Sequence, residues 1–301
     1  MIKGAKDGGI ILVGDRHVRA VVDEVCRQVP VVGVVGVEAA SAEVDGFADL
    51  DDALRSTAAD AVCMLSPKQA SFISICNIIS RGVHLLCAGP LSATENQYTQ
   101  LTQLATQHAA RIHLGGRQRH VPRLQKMNEL RASDAFGEPV YARCVAGGGI
   151  SVDTAWWSMC ELLATAAWLL QCAPTRIVVA ATRNGRARLH VTLTVALDNR
   201  ANAQLCVVPG RDGTLADTWL LGSGGTISSR CEDGDILIAH PDQRHILDAT
   251  PASSEVTWIR NFLADDGLGL QVEDESVLDL SRRLLPAIRR ALKEGRMCEV
   301  S

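Results

Sequence analysis

Residues 61–92 contain two short apolar runs separated by one helix-length segment, and this arrangement constrains the fold more than any other part of the sequence. The runs, residues 61–65 and 83–87, are each long enough for a buried strand. A turn at Ser66-Pro67 and an amphipathic stretch that ends near Arg81 lie between them. Two buried strands joined by such a crossover are typical of a parallel βαβ unit.

The same alternation runs through the first 130 residues. Further strands are expected at 10–13, 31–37 and 111–114, and helices at 16–28, 95–107 and 121–131. This order predicts a doubly wound, Rossmann-like parallel sheet. After Pro139 most segments alternate as strands, which indicates an α+β domain with a mostly antiparallel sheet. We therefore expect a dinucleotide-binding-type domain over 1–120 and a substrate and oligomerisation domain over 121–301, with the final helix packing back.

Composition excludes several classes of function. The net charge of -4 comes with both signs scattered, so neither nucleic acid nor an anionic membrane surface is an expected partner. The ten cysteines are dispersed singly, without a CxxC pair or a Cys/His cluster at zinc spacing, which predicts reduced thiols and no metal site. The longest apolar helix carries Glu161 and is too short to span a bilayer. With no signal-peptide-like run at the start, the expected location is the cytoplasm.

Several motifs resemble those of the Gfo/Idh/MocA-type NAD(P)-dependent oxidoreductases, in the same order over nearly the whole chain. Ser66-Pro67 with the following helix is similar to the family's TPNxxH segment. RGVHLLCAGPLS is similar to its GKHVLCEKPLA, and FGEPVYARC to its IGEPVxVR hinge. LGGRQRHVPRLQKM, LLGSGGTI and ALKEGRMCEVS resemble three further segments. The resemblance implies a two-domain oxidoreductase fold and association through the open face of the second-domain sheet.

The cofactor loop departs from the pattern of a dinucleotide fold, which uses G-x-G-x-x-G after its first strand. Only the first glycine, Gly14, is present, and Arg16 and Arg19 occupy the other two glycine positions. These arginines either contact a phosphate or carboxylate or lie outward on the helix surface. The position of the acidic residue that a dinucleotide fold has after its second strand falls near Gly36. Glu38, two residues later, either takes the role of that acid or lies in a solvated loop. We expect no NAD(P) binding or weak binding, at a site formed by Gly14, Arg16, Arg19, Ser66 and Pro67.

The catalytic positions depart as well. The family lysine that exchanges a proton with the reacting hydroxyl corresponds to Gly89, within Ala88-Gly89-Pro90. The assisting histidine of the long helix aligns with Trp157 or with Glu161, depending on the register. General acid/base catalysis needs a titratable group within hydrogen-bond reach. Glu161 is either a satisfied buried carboxylate or an acid with a raised pKa, and together with His120 it is a candidate catalytic residue.

The cleft residues follow from strand topology, because the carboxyl ends of parallel strands border the ligand site. Cys87 ends the central strand, and it is either inert packing or a nucleophile, for which the sequence places no adjacent histidine. The turn with Arg117, Arg119 and His120 either binds an anion or forms a basic surface. From the second domain, adjacent Trp156 and Trp157 cannot both face one pocket, so one belongs to the core. The predicted substrate-cleft residues are Cys87, Arg117, Arg119, Trp156 and Trp157.

Three functions fit these features. The first is a pseudo-oxidoreductase that acts as a ligand-binding or partner subunit. The second is an active NAD(P)(H)-dependent reductase or dehydrogenase with altered cofactor and proton-donor contacts. The third is a non-redox enzyme that reuses the cleft. The first is favoured, because one relaxed requirement explains the loss of both sets of motifs. The expected partners are a small, anionic ligand, a second copy that binds through strands 177–180, 190–195 and 203–208, and another protein.

Overall fold

The computed structural model describes residues 9–14, 19–37, 44–65, 71–89, 91, 93–147, 151–184, 188–209, 215–230, 235–240, 243–248, 254–264, 269–272 and 275–300. The chain forms two compact units, one of residues 1–117 with 255–273 and the other of 118–254 with 274–301. The sequence placed residues 255–273 in the second domain. The structure instead joins them to the first unit.

The elements are given in chain order. They are β1 (Gly9–Val13), α1 (Arg19–Cys26), β2 (Val31–Val35), β3 (Gly46–Phe47), α2 (Leu50–Ser56), β4 (Ala59–Met64), α3 (Phe72–Ser80), β5 (His84–Cys87), α4 (Glu95–Gln107), β6 (Arg111–Leu114), α5 (Pro122–Arg131), β7 (Pro139–Ala146), α6 (Val152–Leu170), β8 (Pro174–Asn184), β9 (Arg188–Leu197), β10 (Asn202–Val207), β11 (Leu215–Gly222), β12 (Thr226–Arg230), β13 (Asp235–His240), β14 (Gln243–Asp248), α7 (Ser254–Ala264), β15 (Gly269–Val272), α8 (Glu275–Glu294) and β16 (Cys298–Glu299). A 3-10 turn, Arg117–His120, precedes α5.

The first unit is built on a parallel sheet of seven strands in the order β15-β6-β5-β4-β1-β2-β3. All five residues of β1 are buried, as expected for a parallel strand that is covered on both faces. The strand order changes direction between β1 and β4. This arrangement confirms the predicted doubly wound, Rossmann-like sheet.

Helix α7 and strand β15 join this sheet from the far end of the sequence. β15 pairs in parallel with β6, with Gly269 opposite Arg111. The guanidinium of Arg111, which is 6% exposed, donates a hydrogen bond of 2.7 Å to the carbonyl oxygen of Phe262 on α7. It also lies 4.7 Å from the centre of the Phe262 ring. These contacts explain why 255–273 belongs to the first unit.

The second unit contains a nine-stranded sheet in the order β14-β13-β12-β11-β7-β10-β9-β8-β16. Only the β7–β10 pair is parallel among its described pairings, which confirms the mostly antiparallel sheet. Helices α6 and α8 pack on one face of it. The buried apolar residues of the three strands predicted for oligomer contacts lie in this core: Ile177, Val179, Val191, Leu193, Val195, Ala203, Leu205 and Val207.

The open face of the second sheet carries exposed apolar side chains on other strands than the three expected to form oligomer contacts. Trp219, Leu237 and Ile246 lie in one register row across β11, β13 and β14, and their side chains are 37%, 38% and 68% exposed. Leu221, 43% exposed, lies two residues from Trp219 on the same side of β11. These exposed apolar side chains lie on β11, β13 and β14, whereas the sequence predicted them on the strands that became β8, β9 and β10. The reason is that side chains alternate between the two faces of each strand.

None of the helices in the described part of the chain combines the length and the hydropathy of a membrane span. Within the same ranges, no group of three or more His, Cys, Asp or Glu side chains could hold a metal ion. The nine cysteines of the described residues are free thiols.

Candidate functional site

The strand order of the first sheet places a ligand-binding edge between β1 and β4, because open α/β sheets bind ligands where the order reverses. The backbone ladder continues past both strands. Gly14 N donates to Val35 O at 3.0 Å, and Leu65 N donates to Val13 O at 2.8 Å. Gly14 thus lies at the predicted edge. The other predicted cofactor positions next to it, Arg16, Ser66 and Pro67, lie outside the described residues.

The end of β2, where a dinucleotide fold carries its ribose-binding acid, is formed here by Gly36 and Val37. Gly36 has a φ of 78°, which favours glycine over any residue with a Cβ. Neither residue offers a carboxylate to a ribose. Glu38, the alternative, lies outside the described residues.

Arg19 is the first described residue of helix α1. Its Nε lies 3.6 Å from Oδ1 of Asp23, one turn further along the helix. The two side chains are 43% and 41% exposed. This is a surface ion pair, which supports the interpretation of Arg19 as a helix-surface residue.

The end of β5 is the place where the sequence resemblance puts the family lysine. Ala88 N donates to Met64 O at 2.9 Å, and Gly115 N donates to Cys87 O at 2.8 Å. Ala88 and Gly89 are both buried and bring no acid or base to this edge. Cys87 is fully buried, which agrees with packing rather than nucleophilic chemistry.

Arg117, a predicted anion ligand, has a protein partner in the first unit. Its Nη1 lies 3.6 Å from Oε1 of Glu255 on α7, and the side chains are only 14% and 17% exposed. Burial raises the pKa of the Cys63 thiol well above its usual value, and the nearby Cys87 raises it further. Of the ion pair, Arg117 lowers this pKa and Glu255 raises it. The Glu255 partner could not be expected from sequence patterns, since it lies far along the chain.

The second unit buries three of the predicted cleft and catalytic residues on α6. Trp156, Trp157 and Glu161 are 4%, 6% and 7% exposed. Trp156 belongs to the core of this unit. Glu161 follows Trp157 by one helical turn, so the two side chains share a face of α6.

Arg119 lies at the other end of α6. Its guanidinium carbon is 5.9 Å from the centre of the Trp168 ring. Trp168 is three helical turns beyond Trp157, about 17 Å along the axis. Arg119 therefore does not share a wall with the tryptophan pair, contrary to the single cleft expected from the sequence. His120 ends the 3-10 turn and is partly buried.

Comparisons with known proteins agree with this geometry. Residues 8–115 match the profile described as oxidoreductase family, NAD-binding Rossmann fold. No curated protein matches the chain.

Solved structures share the fold along nearly the full length. A dehydrogenase from Chromobacterium violaceum superposes with a TM-score of 0.72 at 15% identity, covering 95% of each chain. GenD2 from gentamicin A biosynthesis, in complex with NAD, gives 0.70 at 17% identity, covering 100% of this chain and 99% of that one. UDP-N-acetylglucosamine 3-dehydrogenase GnnA from Acidithiobacillus ferrooxidans gives 0.70 at 18%, covering 96% and 99%. At these identities the likeness shows the fold. Residues 8–115 match the profile of the NAD-binding Rossmann domain of the Gfo/Idh/MocA oxidoreductase family, as the motifs indicated.

Proposed function

We propose that this protein is a pseudo-oxidoreductase, a Gfo/Idh/MocA-type scaffold that serves as a ligand-binding or partner subunit. The observation that carries the proposal is the end of β5. There Ala88 and Gly89 continue the sheet edge with buried backbone but bring no acid or base to the position of the family lysine. Proton exchange with a substrate hydroxyl has no donor at that point.

The cofactor side of the same sheet supports the proposal. Gly36, which has a positive φ, lies where a dinucleotide fold has its ribose-binding acid. Arg19 forms an ion pair with Asp23 on the surface of α1. The residues described at this edge therefore fit the backbone of a dinucleotide site but not its polar contacts. Losing two charge-assisted contacts, at roughly 1.5–3 kcal/mol each, weakens binding by roughly two to four powers of ten.

Titration of the purified protein with NADH and NADPH, by calorimetry and by nucleotide fluorescence, tests the proposal. We expect no binding tighter than about 1 mM. The double variant Arg16→Gly and Arg19→Gly recovers part of the affinity without turnover, because Gly89 still supplies no proton donor. Micromolar binding by the unmodified protein contradicts the pseudoenzyme and favours the second candidate.

That second candidate is a working NAD(P)(H)-dependent reductase with altered contacts. It is favoured by the switch point between β1 and β4, with Gly14 directly after β1. GenD2, of the same fold, was solved in complex with NAD. A reductase of this kind would act on a substrate that needs little proton transfer from the protein. Oxidation of NADH by candidate imines or enones distinguishes the two functions.

A further inference from the structure

Three neighbouring elements of the first unit meet at Arg111, the first residue of β6. Its backbone N–H donates a hydrogen bond of 3.2 Å to Nδ1 of His84, the first residue of β5. Its guanidinium donates to the carbonyl oxygen of Phe262 on α7. Gly269 of β15 lies opposite it in the parallel pairing of β15 with β6. Arg111 therefore connects β5 to α7 and β15, the two elements that come from the far end of the sequence.

The hydrogen bond from Arg111 requires a neutral His84. An imidazole nitrogen that accepts a hydrogen bond carries no proton, whereas both nitrogens of a protonated imidazole are donors. Protonation of Nδ1 would therefore set two N–H groups against each other and leave the backbone donor of Arg111 without its acceptor. It would also bring a second positive charge close to the guanidinium. Burial, and after it the charge of Arg111, lower the pKa of His84, while Asp60 raises it by a smaller amount.

The aromatic ring of Phe262 does not offset this cost. The ring centroids of His84 and His113 lie 6.5 and 6.3 Å from that of Phe262, beyond the distance of about 6 Å within which a cation is attracted to a ring face. The guanidinium of Arg111 lies much closer to the same ring, at 4.7 Å. In the described part of the chain, the titratable and charged groups around His84 are Arg111, Asp60 and His113. Among these three, only the carboxylate of Asp60 favours a protonated His84.

The two ends of α7 are held by different contacts. Glu255, near its start, pairs with Arg117 at 3.6 Å, and Phe262 lies about two helical turns later. Only the Phe262 end depends on the residue that His84 holds. When His84 is exposed to solvent it binds a proton more readily than in the closed arrangement, so acidification favours the open state. We propose that Arg111 and His84 form a pH-sensitive contact that releases β15 and the C-terminal part of α7 from β6 as the pH falls.

Hydrogen exchange of the whole protein between about pH 7.5 and about pH 5.5, corrected for the intrinsic pH dependence of amide exchange, measures this release. Peptides from α7 and β15 should be less protected than peptides from β1 at each pH, because they open without the rest of the sheet. Their protection should fall several-fold over this range. The upper limit is about tenfold, set by proton uptake at one histidine with the ordinary pKa of about 6.5 in the open state. Peptides from α6, in the second unit, should not change.

Matched variants connect the pH response to His84. His84→Asn keeps an acceptor that does not titrate, so the protection of α7 and β15 should no longer fall, whereas His190→Asn, at an exposed histidine of β9, should retain the fall. Asp60→Asn removes the charge that favours a protonated His84, so it should enlarge the fall, and it covers the case in which His84→Asn fails to fold.

Several results would overturn the proposal. One is that α7 and β15 exchange no faster than β1, and another is that their protection does not fall at low pH. A third is that His113→Asn abolishes the fall, since the response would then come from a different imidazole. The last is that neither His84→Asn nor Asp60→Asn alters the fall in the expected direction.

Discussion

The contact between Arg111 and Phe262 should control the stability of the first unit, because it attaches α7 to the edge of the parallel sheet. Replacing Arg111 with methionine removes a buried hydrogen bond from a charged donor to Phe262 O, worth about 1.5–3 kcal/mol. It also removes a cation–π contact, worth about 0.5–2 kcal/mol. The methionine side chain recovers part of this by packing. We expect a net loss of about 2–4 kcal/mol.

Hydrogen exchange followed by mass spectrometry measures this loss locally. Peptides from β6 and α7 should exchange roughly thirtyfold faster or more, since each 1.4 kcal/mol is a factor of ten. Peptides from α6 in the second unit should not change. The matched control is Arg260→Met, which removes a hydrogen bond of 3.1 Å from exposed Arg260 on α7 to Gln28 O, worth at most about 1.5 kcal/mol. Equal effects of the two variants would refute the argument that burial makes the Arg111 contact dominant.

Three further predictions concern pH, assembly and thiol reactivity. The Nδ1 of His84 accepts a hydrogen bond from the backbone N–H of Arg111. Burial, and after it the charge of Arg111, lower the pKa of His84, so the folded state binds a proton less readily than the unfolded state. The free energy of unfolding should therefore fall as the pH drops through about 6.5 towards the lowered pKa. His84→Asn keeps an acceptor without titrating, so in chemical denaturation at several pH values it should lack this fall. We expect a homo-oligomer that associates through the open face of the second sheet. In light scattering at micromolar concentration, the double variant Trp219→Glu with Ile246→Glu should be monomeric, whereas Ile73→Glu, at an exposed site on α3, should remain oligomeric. A monomeric unmodified protein would contradict this interface. Burial raises the pKa of Cys144 to about 12, so it should resist alkylation until the protein is denatured, and rapid labelling of the native protein would contradict its buried position.

Much of the first sheet could be predicted because its information is local. The apolar runs of β4, β5 and β6 and the capped helix α4 lie within one or two residues of their expected bounds. The main error in domain assignment concerned α7 and β15. Helix α7 buries Val256, Ile259 and Phe262 at helical spacing, which the sequence does show. What the sequence could not show is that this helix packs on β6, more than a hundred residues away.

In the candidate site, too, the residue types follow from the sequence, whereas the contacts between residues depend on the fold. The glycines at positions 89 and 36 are matters of residue type, so the sequence shows them directly. The partners of Arg117 and Arg119 are not, because Glu255 is brought from a distant helix and Trp168 lies at the far end of α6. Arg117 and Arg119, two residues apart in the sequence, therefore have partners on different helices.

By itself the sequence determined the fold class, the alternation of elements and the residue type at Gly89, since periodicity and residue type are local quantities. Tertiary structure alone decided which face of the second sheet is apolar: alternation turns Leu193 and Leu205 inward while Trp219 and Ile246 face outward. It also decided which charges are paired, as Arg117 with Glu255. The physical reason is that pairing and exposure depend on distances between segments remote in sequence, and these distances exist only once the chain has folded.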